Sequence, residues 1–148
     1  MKSKLQHKPL LEFFLPGKSE ECHLPLYATH ISAGFPSPAE DFIEQKLDLN
    51  HYLIRNPSAT FLVKVNGESM TNAGILNGDI LVVDRSVSPV NGMVVIGVIN
   101  GDFTVKRILK QGKKLYLHPE NEKFKPVEIT ESMDFQIWGV VTYAIHKI

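Results

Sequence analysis

Apolar residues along this chain fall into short runs separated by glycine, proline and asparagine, and beyond Thr60 the runs have strand length. Phe61–Val65 and Ile80–Val83 are short apolar runs bounded by turn residues, a signal of strands. Met93–Ile99 and Phe103–Leu109 flank Asn100-Gly101-Asp102, and Asn-Gly at that position predicts a tight hairpin. Lys114–His118, Val127–Ile129 and Phe135–Ile145 supply further strands, with Gln111-Gly112 and His118-Pro119-Glu120-Asn121 as turns. Trp138 and Tyr143 are expected in the core or at a dimer contact. Ahead of this region Ser37-Pro38-Ala39-Glu40 predicts a helix start. Ser37 can cap, Pro38 suits the first turn and Glu40 completes a capping box. Phe42, Ile43 and Leu47 then give one apolar stripe ending near Asn50. Residues 1–33 show no sustained period and read as a mobile N-terminal arm. The expectation is a mainly β domain over 34–148 with one short N-terminal helix, preceded by the arm 1–33.

Composition narrows the class. A chain of 148 residues suffices for one domain with a real core. Its 16 basic and 16 acidic residues cancel, so no chain-wide positive field invites nucleic acid and no specific DNA binding is expected. A single cysteine, Cys22, excludes an internal disulfide and suits a reducing cytoplasm. Cys22 with His23 or His30 makes a poor thiol–imidazole pair, because near-neighbours along a chain rarely attain the geometry. The six histidines show no metal-ligand spacing, and no metal or cofactor is expected. Leu10-Leu11-Glu12-Phe13-Phe14-Leu15 is interrupted by Glu12 and ended by Pro16-Gly17, too short for an export signal. No run approaches the roughly 18 apolar residues of a membrane span.

Three short signals carry candidate chemistry: Ala33-Gly34, Gly67-Glu68-Ser69-Met70 and Thr104-Val105-Lys106-Arg107. A serine hydroxyl is a weak nucleophile near neutrality and needs an adjacent base. Lysine serves as that base only when its amine is uncharged, and a free lysine titrates near ~10.4. Burial in an apolar wall disfavours the ammonium and lowers that value. Strand alternation places Thr104, Lys106 and Ile108 on one face of an apolar strand. Gly67 and Gly74 flank the serine and permit a sharp turn, and backbone N–H groups at Glu68 or Ser69 can receive a developing oxyanion. Taken singly, each signal has an ordinary reading: a serine in a glycine-containing loop is usually a turn residue, and a strand lysine usually faces water. Spacing alone does not say that they meet.

Phe35-Pro36-Ser37-Pro38, Leu47-Asp48-Leu49-Asn50, Asn56-Pro57-Ser58-Ala59-Thr60, Gly67-Glu68-Ser69-Met70, Asn77-Gly78-Asp79-Ile80-Leu81-Val82-Val83-Asp84 and Phe103-Thr104-Val105-Lys106 together resemble the self-cleaving serine peptidases of the LexA/UmuD family. The resemblance runs from about Ala33 to the end of the chain and is closest to the UmuD branch. It implies a β-rich catalytic domain of the LexA and signal-peptidase type, with Ser69 as nucleophile and Lys106 as base. It places the cut before the glycine of Gly34-Phe35-Pro36-Ser37-Pro38, at the Ala33-Gly34 bond. The best-known UmuD has Cys-Gly there, whereas Ala-Gly is the LexA form; both put a small residue before glycine. Gly34 lets the backbone approach closely, and Pro36 biases Phe35 toward the extended conformation a cleft requires. Signal peptidases share a Ser–Lys pair but are membrane-anchored, which this chain gives no sign of being.

The same resemblance implies a role and partners. UmuD-like proteins are accessory subunits of an error-prone translesion polymerase in the bacterial SOS response. The chain is then expected to be a cytoplasmic homodimer. A RecA filament on single-stranded DNA would favour its cleavable state. Gly34–Ile148 would be the product that binds a UmuC-like Y-family polymerase. Cleavage is expected to release the arm, and with it Leu24-Pro25-Leu26-Tyr27. That stretch resembles the sequences by which such arms touch the replication sliding clamp, though it also reads as incidental docking. The alternative is a self-cleaving transcriptional regulator of the LexA type, which needs a helix-turn-helix before the cut. The 33 residues ahead of Gly34 show no periodic helical pair and no basic recognition helix. A structural dimer module with a degenerate site is disfavoured because both Ser69 and Lys106 are present.

Overall fold

β-Branched side chains carry the sheet: valine and isoleucine pack well on a pleated surface and recur in each long strand. The structure, a computed structural model, describes residues 11–15, 17, 21–27, 33–34 and 43–148. In chain order the elements are β1 Leu11–Phe14, β2 His23–Tyr27, β3 Ile43–Asp48, helix α1 Leu49–Leu53, β4 Thr60–Val65, β5 Ile80–Asp84, β6 Val94–Ile99, β7 Asp102–Gln111, β8 Lys114–His118, β9 Val127–Ile129 and β10 Phe135–Ile145. They fall into two compact units, one of β1 with residues 56–148 and one within residues 17–55.

The larger unit is an eight-stranded sheet in the order β1-β4-β5-β10-β6-β7-β8-β9. Every neighbouring pair in it is antiparallel. Strand β10 returns from the end of the chain to lie between β5 and β6, bending through irregularities at Ile137/Gly139 and Val141/Tyr143. The β6–β7 hairpin turns at Asn100 and Gly101, with φ of 49° and 88°, the positive pair that a primed two-residue turn requires. Both faces around β6 are covered. Val95 and Ile96 are successive residues, each 0% exposed, and belong to different clusters. Ile96 packs with Val63, Leu81, Val83, Val105 and Met70; Val95 packs with Ile108, Leu117 and Val140. Full burial of a side chain of this kind stabilises by about 1.5–3 kcal/mol, so the hairpin is anchored from two sides. Trp138 packs against the first of these clusters.

The smaller unit corrects the expected helix. Ile43–Asp48 is a strand, paired antiparallel with β2 from His23↔Asp48 to Tyr27↔Ile43. The helix begins only at Leu49, where Asp48 caps it by accepting from the Asn50 N–H at 3.0 Å. Residues 35–42, including the Ser37-Pro38-Ala39-Glu40 signal, lie outside the described residues. The physical reason is the ladder: cross-strand backbone bonds to β2 outweigh a weak local helical preference. Two strands for which the sequence gives no signal, β1 and β2, also lie within residues 1–33. Each is too short to show a period, and β2 contains Pro25, a residue suited to a strand that, among the described residues, pairs on one side.

Candidate active site

Ser69 sits on a turn pinned at both ends. The chain leaves β4 at Val65, whose N–H and C=O bond Asp79 and Gly78 at 2.9 and 2.8 Å. Gly67 then adopts φ 130°, a conformation that side chains resist, and its N–H bonds the Asn77 side chain at 2.8 Å. Directly after the serine, Met70 is buried in the core at 2% exposure. Its carbonyl accepts from Ala73 at 3.0 Å. The hydroxyl between these anchors has little freedom to wander.

A loop from the other end of the sheet clasps the same turn. The Glu120 N–H donates to the Ser69 carbonyl at 2.8 Å, and the Asn121 amide donates to the Glu68 carbonyl at 2.7 Å. The Asn72 N–H donates to the Glu120 carbonyl at 2.8 Å. Arg107 fixes the loop in turn, donating to the Glu120 carboxylate and to the Gly92 carbonyl, each at 2.5 Å. With their carbonyls occupied, Glu68 and Ser69 keep N–H groups that meet no acceptor among the described residues. Sequence reading took Glu120 and Asn121 only as a turn. The contact spans 53 residues, and no local signal tied that turn to the serine.

Lys106 lies on β7 opposite Val95, which is fully buried. Its Nζ lies 3.0 Å from Ser69 Oγ, 2.9 Å from Thr104 Oγ1 and 2.9 Å from the Val105 carbonyl. All three neighbours are neutral, and no carboxylate pairs with the amine among the described residues. Burial therefore acts unopposed and holds the lysine below its ordinary value of 10.5. A neutral amine has two N–H donors and one lone pair. Thr104 Oγ1 and the Val105 carbonyl take the two donors, which leaves the lone pair for the serine O–H. Thr104 was expected on the face of Lys106, and its contact puts it there. The cleft over the pair holds about 60 Å³ and is walled by Leu11, Val65, Met70, Phe103 and Val105.

The structure thus brings Ser69 and Lys106 together from elements 37 residues apart. Ala33 and Gly34 are exposed and lie in the unit of residues 17–55, in the connection between β2 and β3. Leu24 and Leu26 on β2 are both about two-fifths exposed. Cys22 is an exposed free thiol. Among the described residues no cluster of histidine, cysteine and carboxylate side chains could hold a metal, and no helix is long and apolar enough to cross a membrane.

Known proteins are similar to this chain over most of its length. Protein ImpA of Salmonella typhimurium is 47% identical over 127 residues, 83% of this chain and 83% of that protein. Protein MucA of Escherichia coli is 42% identical over 130 residues, 87% of this chain and 88% of its own length. LexA repressor of Shewanella piezotolerans is 43% identical over 109 residues, 74% of this chain but 52% of the repressor. The Peptidase S24-like family matches residues 25–142, a span that takes in both Ser69 and Lys106. On that match and on UmuD-like relatives of this closeness, the chain belongs to the Peptidase S24-like family.

Proposed function

We propose that this protein is a self-cleaving serine endopeptidase that cuts its own Ala33-Gly34 bond and thereby matures into an accessory subunit of an error-prone translesion polymerase. The observation that carries the reading is the 3.0 Å contact between Lys106 Nζ and Ser69 Oγ inside a mostly apolar cleft. Ser69 Oγ attacks the Ala33 carbonyl carbon as Lys106 takes the hydroxyl proton. The oxyanion forms against the N–H groups of Glu68 and Ser69. The carbon–nitrogen bond then breaks, Lys106 returns the proton to the Gly34 amine, and water hydrolyses the Ala33 ester with the same lysine as base. Family membership supports the peptidase class.

The accessory role rests on relatives. ImpA and MucA are matched over most of their length, whereas the LexA repressor is matched over about half, which favours the polymerase accessory over a transcriptional regulator. In this reading the protein acts as a cytoplasmic homodimer in the SOS response. A RecA–single-stranded DNA filament stimulates the cut by binding the cleavable arrangement better than the other. Gly34–Ile148 binds a UmuC-like Y-family polymerase, and Leu24–Tyr27 is available to a sliding clamp until the arm departs. Intact-mass measurement after incubation at mildly alkaline pH tests the chemistry. A fragment beginning at Gly34 is expected from the parent chain, and none from Ser69→Ala or Lys106→Ala variants that stay folded. A fragment beginning elsewhere removes the bond assignment; a cleaving Lys106→Ala variant removes the base. Co-purification of Gly34–Ile148 with a Y-family polymerase tests the partner.

A further inference from the structure

Strand β1 enters the sheet as a ligand would. Among the described residues it has no hairpin neighbour and pairs with β4, from Leu11↔Val65 to Phe14↔Leu62. Alternation sends Leu11 and Phe13 to one face. Leu11 is 8% exposed within the cluster that includes Val65 and Met70. Phe13 meets Phe103 edge-on with ring centroids 4.7 Å apart, and lies 5.8 Å from Phe61 and 6.1 Å from Trp138. Such tilted and edge-on aromatic contacts favour the seated ring beyond the area it buries. Beside Phe13, Phe14 and Leu15 the surface opens into a pocket of about 260 Å³ lined by Thr60, Phe61, Arg85 and Trp138. Arg85 stacks over the Trp138 ring at 5.3 Å.

The position of β1 in the chain gives this docking a consequence. β1 lies before Ala33-Gly34 and β4 lies after it, so cutting that bond breaks none of the contacts between them. The β2–β3 ladder spans the same bond: His23–Tyr27 precedes it and Ile43–Asp48 follows it. Two short ladders, each weak alone, are joined by residues 15–22, and linked modules rebind at high effective concentration.

We propose that the edge of β4, with the slot formed by Phe61, Phe103 and Trp138, is a peptide-binding groove whose ligand is the chain's own Leu11–Phe14 strand, so that self-cleavage leaves the arm bound and its departure is a separate step. The groove recognises an extended segment by main-chain pairing and selects side chains at alternate positions, an aliphatic one and then an aromatic one. While β1 is seated it also caps an edge that would otherwise invite pairing with other chains. The timing of arm loss rests on the proposed cut at Ala33-Gly34; the groove itself does not.

The test separates the two. A full-length Ser69→Ala chain receives a recognition sequence for an added site-specific protease between Ala33 and Gly34, is cut, and is passed over a sizing column at low micromolar concentration. Mass spectrometry of the main peak should find the 1–33 fragment with the larger fragment. Phe13→Asp should weaken retention by tenfold or more, and Phe13→Ala by a smaller factor. Hydrogen exchange of the β4 amides should be slow in the uncut and cut parent and faster in either variant, which reads the docking even where a variant alters elution. A freely eluting arm from the parent, or equal retention and equal exchange in the Phe13 variants, overturns the proposal. The unmodified chain is incubated in parallel. If it yields no Gly34 fragment the cut is misassigned, while the engineered chain still reports on the groove.

Discussion

The hairpin that carries Lys106 and the strands that precede Ala33 are built to opposite specifications. β6 and β7 pair over six residues, with Val95 and Ile96 fully buried in two different clusters. β1 pairs over four residues, with Phe13 and Phe14 40% and 47% exposed. Among the described residues β2 pairs with β3 alone, and Leu24 and Leu26 are exposed. Lys106 therefore sits on a strand paired within a well-buried hairpin, whereas the strands that precede Ala33 leave more of their apolar side chains exposed.

The contrast can be pressed in several ways, the most severe first. Lys106→Met should abolish cleavage, leaving no Gly34 fragment by intact mass, yet it should raise the melting temperature at pH 7. The sign follows from burial. The lysine titrates below 10.5 in the folded protein, so the unfolded chain binds more protons between that lowered value and 10.5. The parent is penalised below this window and gains stability as pH rises through it. The advantage of the methionine variant should shrink accordingly, and an advantage that stays constant to pH 10.5 contradicts the buried-amine account. Next, Ile96→Ala should cost about 2–5 kcal/mol in urea unfolding, because a fully buried side chain of the rigid hairpin leaves a cavity. Phe14→Ala should cost under about 1 kcal/mol by the same measurement, as expected of an exposed edge residue. Equal costs for the two would erase the distinction between the regions.

A finer probe is Asn121→Ala. It removes one hydrogen bond to the Glu68 carbonyl, worth about 1 kcal/mol, and should slow cleavage by roughly five- to tenfold. Its pH midpoint should stay in place, since Lys106 keeps all three of its neighbours. A shifted midpoint would mean that the clasp acts on the base and not on the serine turn.

How much of this was legible follows the same division. The hairpin could be read because its signals are local: apolar runs of strand length and Asn-Gly between them. The strands from β4 to β10 fall where the apolar runs predict. The register that brings β7 to the Ser69 turn is not local, and motif resemblance supplied what spacing could not. The two strands ahead of Ala33 were missed for the complementary reason. Leu11–Phe14 and His23–Tyr27 become strands only by pairing with segments far along the chain, and Ile43–Asp48 carried a helical signal that its ladder overrode. Asn121 was hidden because an asparagine in a turn looks the same whether or not it bonds the distant turn that carries Ser69.

The pH dependence of spontaneous cleavage, followed by intact mass from neutral to strongly alkaline conditions, reaches the central claim most directly. An uncharged Lys106 serving Ser69 predicts a first-order rate for the Gly34 fragment that climbs with pH and reaches half its plateau below 10.5, the ordinary lysine value from which burial lowers it. A rate that ignores pH across that range, or survives in Lys106→Ala, would contradict it.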